Sequence, residues 1–442
     1  MTSMRRWLIR SAHLTDPASG VDGCRDVLIE DGIVAHVAEQ IIPEAVRDRQ
    51  ERVGLIEAEG LWLWPGLVDA HVHFREPGFT QKETIASGGA AAVRGGYTSV
   101  ICEPNTDPPI DSPELVRSLD RKARRDSPAR VYFKAAMTQG REGLRLAALE
   151  ELAGERSVVA LSDDGDPVSS EALMAEICGA AARLGLLLSP HCEDSPRALA
   201  RREAGVSEGF EPGAAYSNEA HYIERDLRLA QRFGCRMHFS HVSLARSIKA
   251  IESFRRDCEA RGKVTFEVSP HHLLLSAADF EPGQVPSVNP PLRSSSDREA
   301  VQRALLDGVA DAIASDHAPH TPEDKARGAC GLIGLETTLG LVLTHFVHTG
   351  RLAAADAVRL MSTQPAQIFG LRGGSLAVGQ AADAVLIDPG EQWQVRAADF
   401  ASLSRNTPYE GWQLKGRAVA VLVGGRLVYE RDSLRDRVHS GS

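Results

Sequence analysis

The middle of the chain repeats one pattern of hydrophobic and polar positions. A short run of β-branched or aliphatic residues ends in a polar cluster, and an Ala-rich stretch with helical periodicity follows. Such alternation predicts βα units arranged around a parallel sheet. Eight units over about 300 residues predict an α/β fold of the closed (β/α)8 TIM-barrel type. The eight runs are residues 66–70, 97–101, 130–133, 157–161, 186–189, 236–239, 264–268 and 311–314.

The two ends of the chain show short strands and turns instead. Near the start, Glu30-Asp31-Gly32 is a turn signal, and near the end Gly379 precedes the aliphatic residues 384–387. We infer that both ends pair into one small β domain beside the barrel, with an independent N-terminal domain as the alternative. The predicted organisation is a small β domain from residues 1–64 and 371–442, and a metal-dependent barrel from residues 65–370.

Composition narrows the class of protein. Of the 442 residues, 43% are hydrophobic and 25% are charged, which is ordinary for a globular protein. The net charge is -10, with acidic and basic residues mixed along the chain. No run of Lys or Arg indicates a nucleic-acid or membrane footprint, so neither a nucleic-acid partner nor a membrane surface is expected. No stretch approaches the roughly 20 apolar residues of a membrane span.

The cysteines indicate a reducing compartment. They are seven, an odd number, and they are scattered without any Cys-x-x-Cys pair. Reduced thiols are therefore expected, and the cytoplasm is the predicted location. The cysteines are Cys24, Cys102, Cys178, Cys192, Cys235, Cys258 and Cys330.

Histidines collect where the predicted strands end. His71 and His73 follow the first strand, His191 the fifth, His241 the sixth, and Asp316 follows the eighth. In a barrel of this type, the carboxyl ends of all strands open onto one face, so these side chains converge. Imidazole and carboxylate groups are ligands of a borderline metal such as zinc. The sequence therefore predicts a metal site on this face.

The number of candidate ligands points to more than one ion. Four imidazoles and a carboxylate exceed the needs of one tetrahedral metal ion, and they suit two ions that share a bridge. The fourth strand supplies two candidate bridging carboxylates, Asp163 and Asp164.

Several motifs together resemble one family. His-x-His-x-Arg at residues 71–75 and Asn-Pro-Pro-Leu-Arg at residues 289–293 are much narrower than a generic metal motif. The chain resembles the dihydroorotases of the amidohydrolase superfamily, in particular the bacterial class with a bridging aspartate. The matching segments are residues 69–78, 82–84, 94–98, 104–106, 162–165, 191–194, 240–243, 267–273, 289–293 and 316–320.

The resemblance implies a binuclear zinc centre, with two Zn2+ ions per subunit. The first ion would bind His71, His73 and Asp316. The second would bind His191 and His241, and Asp164 would bridge the two. The complete implied ligand set is His71, His73, Asp164, His191, His241 and Asp316.

The resemblance also implies a substrate site. Arg75, Asn105 and His320 would hold the substrate carboxylate, and Asn289 would contact the ring. The backbone near Cys330 and Gly331 would close over the substrate, although relatives usually carry Phe where Cys330 stands. The implied substrate-binding set is His73, Arg75, Asn105, Asn289, His320, Cys330 and Gly331.

The implied reaction is the reversible cyclisation of N-carbamoyl-L-aspartate to L-dihydroorotate and water, in de novo pyrimidine (UMP) biosynthesis. A bridging hydroxide would attack the ring amide carbonyl in the hydrolytic direction, and Asp316 would act as the general acid/base. The substrate is a small molecule. We further expect a homodimer and an association with aspartate transcarbamoylase.

Two alternatives stay open. Hydantoinases and allantoinases bridge their metals with a carboxylated lysine at the fourth strand. Residues 157–162 contain no lysine here, and Lys134 on the third strand is the nearest substitute. The second alternative is an inactive scaffold that assembles with aspartate transcarbamoylase, but such chains have lost metal ligands.

Overall fold

The first strands of the chain form part of a mixed sheet. The computed structural model describes residues 6–42, 53–194, 218–257 and 263–440. The strand β1 is mostly buried and pairs antiparallel with β2 along most of its length. It also pairs in parallel with β4 and β5, which makes it the centre of this region. The five strands are β1 (Arg6–Asp16), β2 (Val21–Glu30), β3 (Ile33–Ala38), β4 (Gly54–Glu57) and β5 (Trp62–Pro65).

The next eight strands form the predicted parallel barrel. Each pairs with its sequence neighbour. The first and last strands approach each other where Val72 bridges to His317, and the His73 amide donates to the His317 carbonyl oxygen at 2.9 Å. The strands are β6 (Leu67–Val72), β7 (Tyr97–Cys102), β8 (Arg130–Ala135), β9 (Val158–Leu161), β10 (Leu187–Leu188), β11 (Arg236–Phe239), β12 (Val264–Val268) and β13 (Ala312–Ile313).

The last strands return to the first sheet. They are β14 (Ala384–Gln394), β15 (Gln413–Val423), β16 (Arg426–Glu430) and β17 (Val438–Ser440). The strand β14 pairs antiparallel with β5, which places Val385 opposite Trp64, and β17 pairs with β4. The prediction that both chain ends build one sheet beside a barrel is confirmed. The domain boundaries after residues 64 and 370 stay a prediction.

Helices connect the barrel strands. The helix at Glu171–Leu184 begins where the Ser170 hydroxyl accepts from the Leu173 amide, and it ends at Gly185, whose φ of 71° suits glycine. The α-helices are α1 (Ile85–Arg94), α2 (Pro113–Asp126), α3 (Leu149–Leu152), α4 (Glu171–Leu184), α5 (Glu219–Phe233), α6 (Ala245–Asp257), α7 (Pro270–Leu274), α8 (Ser295–Leu306), α9 (Pro322–Ala326), α10 (Thr338–Val342), α11 (Ala354–Val358) and α12 (Gln364–Phe369). Single π-helical turns at Leu343–Val347 and Arg359–Thr363 extend α10 and α11.

One apolar core joins the barrel to the sheet. Trp64 and Val385 belong to the same buried cluster as Leu67 and Val100 of the barrel. Such continuity fixes the barrel strands, and therefore the side chains at their ends, against a second layer. Among the described residues, no helix combines the length and apolarity needed to cross a membrane. Cys258 lies outside the described residues, and the other six cysteines are free thiols.

Candidate active site

The predicted metal ligands converge at the carboxyl ends of the barrel strands. Their donor atoms form two groups, each within 4.8 Å: His71, His73 and Asp164, and Asp164, His191 and His241. All five side chains are buried. Asp164 belongs to both groups, which is the position that a bridging ligand requires.

The carboxylate of Asp164 lies among the imidazoles. Its Oδ1 is 3.3 Å from Nε2 of His71 and 3.2 Å from Nδ1 of His191. The same oxygen is 3.5 Å from Nε2 of His241, and Oδ2 is 3.7 Å from Nε2 of His73. Burial opposes ionisation of Asp164, but the charge of His71 and the hydrogen bonds from the other imidazoles outweigh it. The pKa of Asp164 is held well below its ordinary value.

Asp316 completes the first group. Its Oδ1 is 3.4 Å from Nε2 of His73 and 3.7 Å from Nε2 of His71. Burial would raise the pKa of Asp316, but the hydrogen bond with His73 and the nearby imidazoles lower it below the ordinary range. Asp316 is therefore ionised at neutral pH, as a metal ligand or a proton acceptor must be.

A buried polar atom without a partner supports the fit of this donor set to a cation. Nε2 of His71 is 3.3 Å from Oδ1 of Asp164, is buried, and has no hydrogen-bond partner among the described residues. Such an orphaned atom is costly unless something else satisfies it. Burial lowers the pKa of His71, but Glu103 and Asp164 raise it well above its ordinary value overall. The carboxylates around His71 therefore favour a positive charge at this site, and nitrogen and carboxylate donors suit a divalent metal ion.

Three site residues have strained backbones. Arg75, His241 and Asp316 have φ values of 55°, 34° and 49°, although none is glycine. Residues in this left-handed region cost about 1–3 kcal/mol each, and they cluster at functional sites. All three lie within three residues of the end of a barrel strand, so the turn that ends the strand also places the residue at the site.

A cavity of about 360 Å³ opens beside the metal donors. Every residue of the predicted substrate-binding set lines it, together with Asp164, His191 and Asp316. Four of the six predicted metal ligands and the whole predicted substrate-binding set therefore line one cavity. The predicted substrate-binding residues in its wall are His73, Arg75, Asn105, Asn289, His320, Cys330 and Gly331.

Arg75 is the principal cation of this cavity. Burial lowers its pKa to about 10, so it stays charged at neutral pH. Its Nε donates to the Pro319 carbonyl oxygen at 3.2 Å, and its Nη2 lies 3.1 Å from Nε2 of His320. That nitrogen of His320 is also 2.8 Å from the Cys330 carbonyl oxygen, to which it must donate. Because His320 Nε2 then carries a hydrogen, the Nη2 hydrogens of Arg75 remain available for an anion.

The two asparagines contact metal-site histidines. Asn105 places Oδ1 2.9 Å from Nδ1 of His73 and donates through Nδ2 to Oδ2 of Asp164 at 3.1 Å. Asn289 places Nδ2 2.9 Å from Nε2 of His191. Each asparagine therefore orients a histidine while also facing the cavity.

A lysine holds the loop that covers the cavity. The Lys325 ammonium donates to the carbonyl oxygens of Ser287, Ala329 and Gly331 at 2.9, 2.7 and 3.0 Å. Cys330 lies within this loop, with its sulfur 3.2 Å from the Ser287 hydroxyl. The loop is thus fixed by backbone contacts, and these do not depend on the side chain at position 330.

Sequence reasoning missed a layer of buried charges beneath the metal donors. Glu103, Lys134, His238 and Glu267 are buried inside the barrel. Lys134, considered above as a substitute bridge, forms an ion pair with Glu103. Burial lowers the pKa of Lys134, but Glu103 and Glu267 raise it overall, so the amine is protonated. A charged residue within an otherwise apolar strand, such as Glu267, was the signal available in the sequence.

Comparisons with known proteins agree with this geometry. Residues 62–428 match the model of the amidohydrolase family. A dihydroorotase from Citrifermentans bemidjiense is 40% identical over 436 residues, covering 96% of this chain and 99% of the relative. A dihydroorotase from Anaeromyxobacter dehalogenans is 41% identical over 435 residues, covering 96% and 98%.

Solved structures share the fold. An L-hydantoinase (dihydropyrimidinase) from Arthrobacter aurescens superposes with a TM-score of 0.81 at 27% identity, covering 97% of this chain and 96% of that one. A D-hydantoinase from Thermus sp. gives a TM-score of 0.81 at 24% identity, covering 99% and 97%. With the family model spanning most of the chain and relatives aligned along nearly all of it, this chain belongs to the amidohydrolase family, among its cyclic amide hydrolases.

Proposed function

We propose that this protein is a dihydroorotase, which interconverts N-carbamoyl-L-aspartate and L-dihydroorotate in de novo pyrimidine biosynthesis. The observation that carries the proposal is Arg75, a buried cation in the same cavity as the candidate metal ligands. The substrate bears a carboxylate in both directions, and a guanidinium can bind a carboxylate through two parallel hydrogen bonds. The names of the relatives at about 40% identity support the same substrate.

We propose a binuclear zinc centre as the cofactor. The six residues named from the resemblance would hold it, with Asp164 as the shared carboxylate. The buried Nε2 of His71, which has no hydrogen-bond partner among the described residues and lies 3.3 Å from Asp164, supports this assignment. Bound zinc supplies Lewis acidity toward the amide carbonyl and makes a hydroxide nucleophile available near neutral pH.

The protein's own side chains bind and protonate the substrate. Arg75 holds the ring carboxylate, Asn105 and His320 lie beside it in the cavity wall, and Asn289 contacts the ring. Asp316, ionised and beside the cavity, accepts the proton of the attacking water and passes it to the departing ring nitrogen. In the synthetic direction, the same carboxylate removes the proton from the carbamoyl nitrogen. The loop around Cys330 limits access of bulk water to the reaction.

Hydantoinase activity is the second candidate, favoured by the likeness to the L-hydantoinase from Arthrobacter aurescens. Hydantoin carries no ring carboxylate, so a buried Arg75 would have no partner in that substrate. The absence of a lysine at residues 157–162 also removes the carboxylated bridge expected of that group.

The deciding experiment compares substrates on the zinc-loaded protein. We expect the protein to hydrolyse L-dihydroorotate and to form it from N-carbamoyl-L-aspartate, with two zinc ions bound per chain. A chelator should abolish this activity, and added zinc should restore it. Turnover of hydantoin or allantoin without turnover of dihydroorotate would overturn the proposal. Metal-free protein in a stable complex with aspartate transcarbamoylase would favour the scaffold alternative.

The assembly of the protein is also a proposal. We propose a homodimer that associates with aspartate transcarbamoylase in the cytoplasm, as a pyrimidine-biosynthetic enzyme would. Light scattering after size-exclusion chromatography, with and without the transcarbamoylase, tests both parts.

A further inference from the structure

Five ionisable side chains lie together inside the barrel, under the candidate metal ligands. Each is at most 1% exposed. They come from strands β6, β8, β11 and β12 and from the residue after β7, so their positions are set by the barrel framework and not by loops. They are His71, Glu103, Lys134, His238 and Glu267.

Glu267 links two histidines. Its Oε1 is 3.0 Å from Nδ1 of His71, and its Oε2 is 3.0 Å from Nε2 of His238. An ionised carboxylate can only accept hydrogen bonds, so both of these ring nitrogens carry a hydrogen. For a neutral His71, the hydrogen on Nδ1 leaves the lone pair on Nε2. That Nε2 is the buried nitrogen without a hydrogen-bond partner, 3.3 Å from the shared carboxylate of Asp164.

The ring of His238, on the other side of Glu267, is also fixed by hydrogen bonds. Nδ1 of His238 is 2.8 Å from the Thr265 hydroxyl. Because His238 Nε2 donates to Glu267, a neutral His238 accepts from the Thr265 hydroxyl through Nδ1. Glu267 therefore has one orientation in which both its oxygens are satisfied.

Glu103 is not the carboxylate that accepts the hydrogen bond from Nδ1 of His71. Its Oε1 is farther from Nδ1 of His71, at 3.4 Å, and it forms an ion pair with the Lys134 ammonium. A buried carboxylate needs a paired charge. Lys134 thus engages Glu103, and Glu267 is the carboxylate left to His71.

We propose that Glu267 is a positioning residue: it holds His71 with the hydrogen on Nδ1, so that Nε2 faces the metal site. The inference rests on the metal-ligand role proposed for His71. A metal-binding histidine generally donates its other ring hydrogen to an outer partner, which fixes the tautomer and raises ligand basicity. Here that partner lies on β12, two strands from β6 around the barrel, and it also engages a second buried histidine.

The first test measures zinc affinity by competition with a chelator. Losing an outer partner of a ligating histidine typically weakens metal binding about 10–100-fold. We expect a loss of this size for Glu267→Ala. In Glu267→Gln the amide oxygen can still accept from His71 Nδ1, so most of the affinity should return.

Glu83 offers a matched control. It is another buried glutamate on this side of the barrel, and its Oε2 is 3.3 Å from Nε2 of His317, which is not a proposed ligand. Glu83→Ala should leave zinc affinity within about twofold of wild type if direct contact with the ligand decides the effect. Equal losses in Glu83→Ala and Glu267→Ala would overturn the proposal, because both would then reflect loosened packing.

A second test is spectroscopic and keeps Glu267 unchanged, so it does not depend on whether variants at position 267 fold. Nitrogen-15 spectra of histidine-labelled, zinc-loaded protein report which ring nitrogen carries hydrogen, and His71→Asn identifies the signal. We expect Nδ1–H for His71, and Nε2–H would overturn the proposal. Neither test uses turnover. Inactivity toward dihydroorotate with the expected tautomer would refute the proposed function and leave the role of Glu267 intact.

Discussion

The carboxyl-end face of the barrel and the small sheet bury very different side chains. The barrel face buries Asp164, His241 and Asp316, and two of these have strained backbones. The sheet buries mainly hydrophobic side chains, such as Leu386 and Ile9, and its buried carboxylates, Asp16 and Asp26, accept hydrogen bonds from backbone amides. Burying ionisable groups and strained turns costs free energy, whereas burying aliphatic groups supplies it.

The two regions therefore contribute differently to stability and to the candidate active site. Apolar burial around β5 and β14 provides stability, and the barrel face uses part of that stability to hold charges close together. Natural proteins commonly break local rules at functional sites and compensate elsewhere. Substitutions in the two regions should therefore affect different measurements.

The largest effect is expected for Asp164→Ala. This carboxylate lies within 3.7 Å of four imidazoles, so its loss removes a donor from both metal groups. We expect dihydroorotase activity to fall by about 10³-fold or more, since several kcal/mol of transition-state stabilisation depend on the site. We also expect loss of at least one zinc per chain, measured by elemental analysis.

The neighbouring carboxylate is the matched control. Asp163 faces away from the histidines and accepts from the Met137 and Thr138 amides at 2.8 and 3.2 Å. In Asp163→Asn the remaining oxygen can still accept, so metal content should be retained. Retained metal and activity in Asp164→Ala would contradict the bridging role.

Arg75→Lys should give the next largest effect. Lysine keeps the charge but loses the paired donors that fit a carboxylate. Truncating one partner of a buried charge pair costs about 2–5 kcal/mol, which predicts a drop in kcat/KM for dihydroorotate of about 30-fold or more. Any residual turnover of hydantoin, which lacks the carboxylate, should be unaffected. An equal loss for both substrates would mean that Arg75 acts on the metal site instead.

Leu386→Ala tests the other region. Leu386 is fully buried in the sheet, and Leu→Ala substitutions in cores cost about 2–5 kcal/mol of unfolding free energy. Denaturant unfolding should show this loss, while kcat of the folded enzyme stays at the wild-type value. A matching fall in kcat would show that the sheet and the site are coupled.

The sequence was sufficient for the fold and for the convergence of the histidines on one face, for a topological reason. Apolar runs marked all eight barrel strands, and polar residues directly after a strand must lie on one face, as His191 and His241 do. The predicted bounds differ from the observed ones by at most two residues, and they differ most at β6, predicted at 66–70 and observed at Leu67–Val72.

The layer beneath the site could not be predicted in this way. Glu267 and His238 lie within strands, and whether such a side chain points into the barrel or outward depends on strand register and stagger. Their contact joins residues 29 positions apart. The left-handed backbone of Arg75 and Asp316 was also hidden, because nothing in these residue types requires it.

The smallest expected effect is on the pH dependence of stability, through the carboxyl group of Glu336. Glu336 accepts from the Ala401 amide at 2.9 Å and the Ser402 amide at 3.2 Å, and burial raises its pKa to about 7. Its pKa in the unfolded chain is near the ordinary 4.5. Between these values the folded protein binds the extra proton, so the contribution of Glu336 to stability is full below about pH 4.5 and falls as pH rises to about 7.

Glu336→Gln cannot ionise and should lose less stability between pH 5 and pH 8 than wild type, by about 2 °C or more in Tm. Parallel Tm profiles for the two proteins would show that the backbone amides and Arg94, 3.7 Å away, stabilise the carboxylate fully. That result would make this buried carboxylate less costly to stability than the charges of the barrel face.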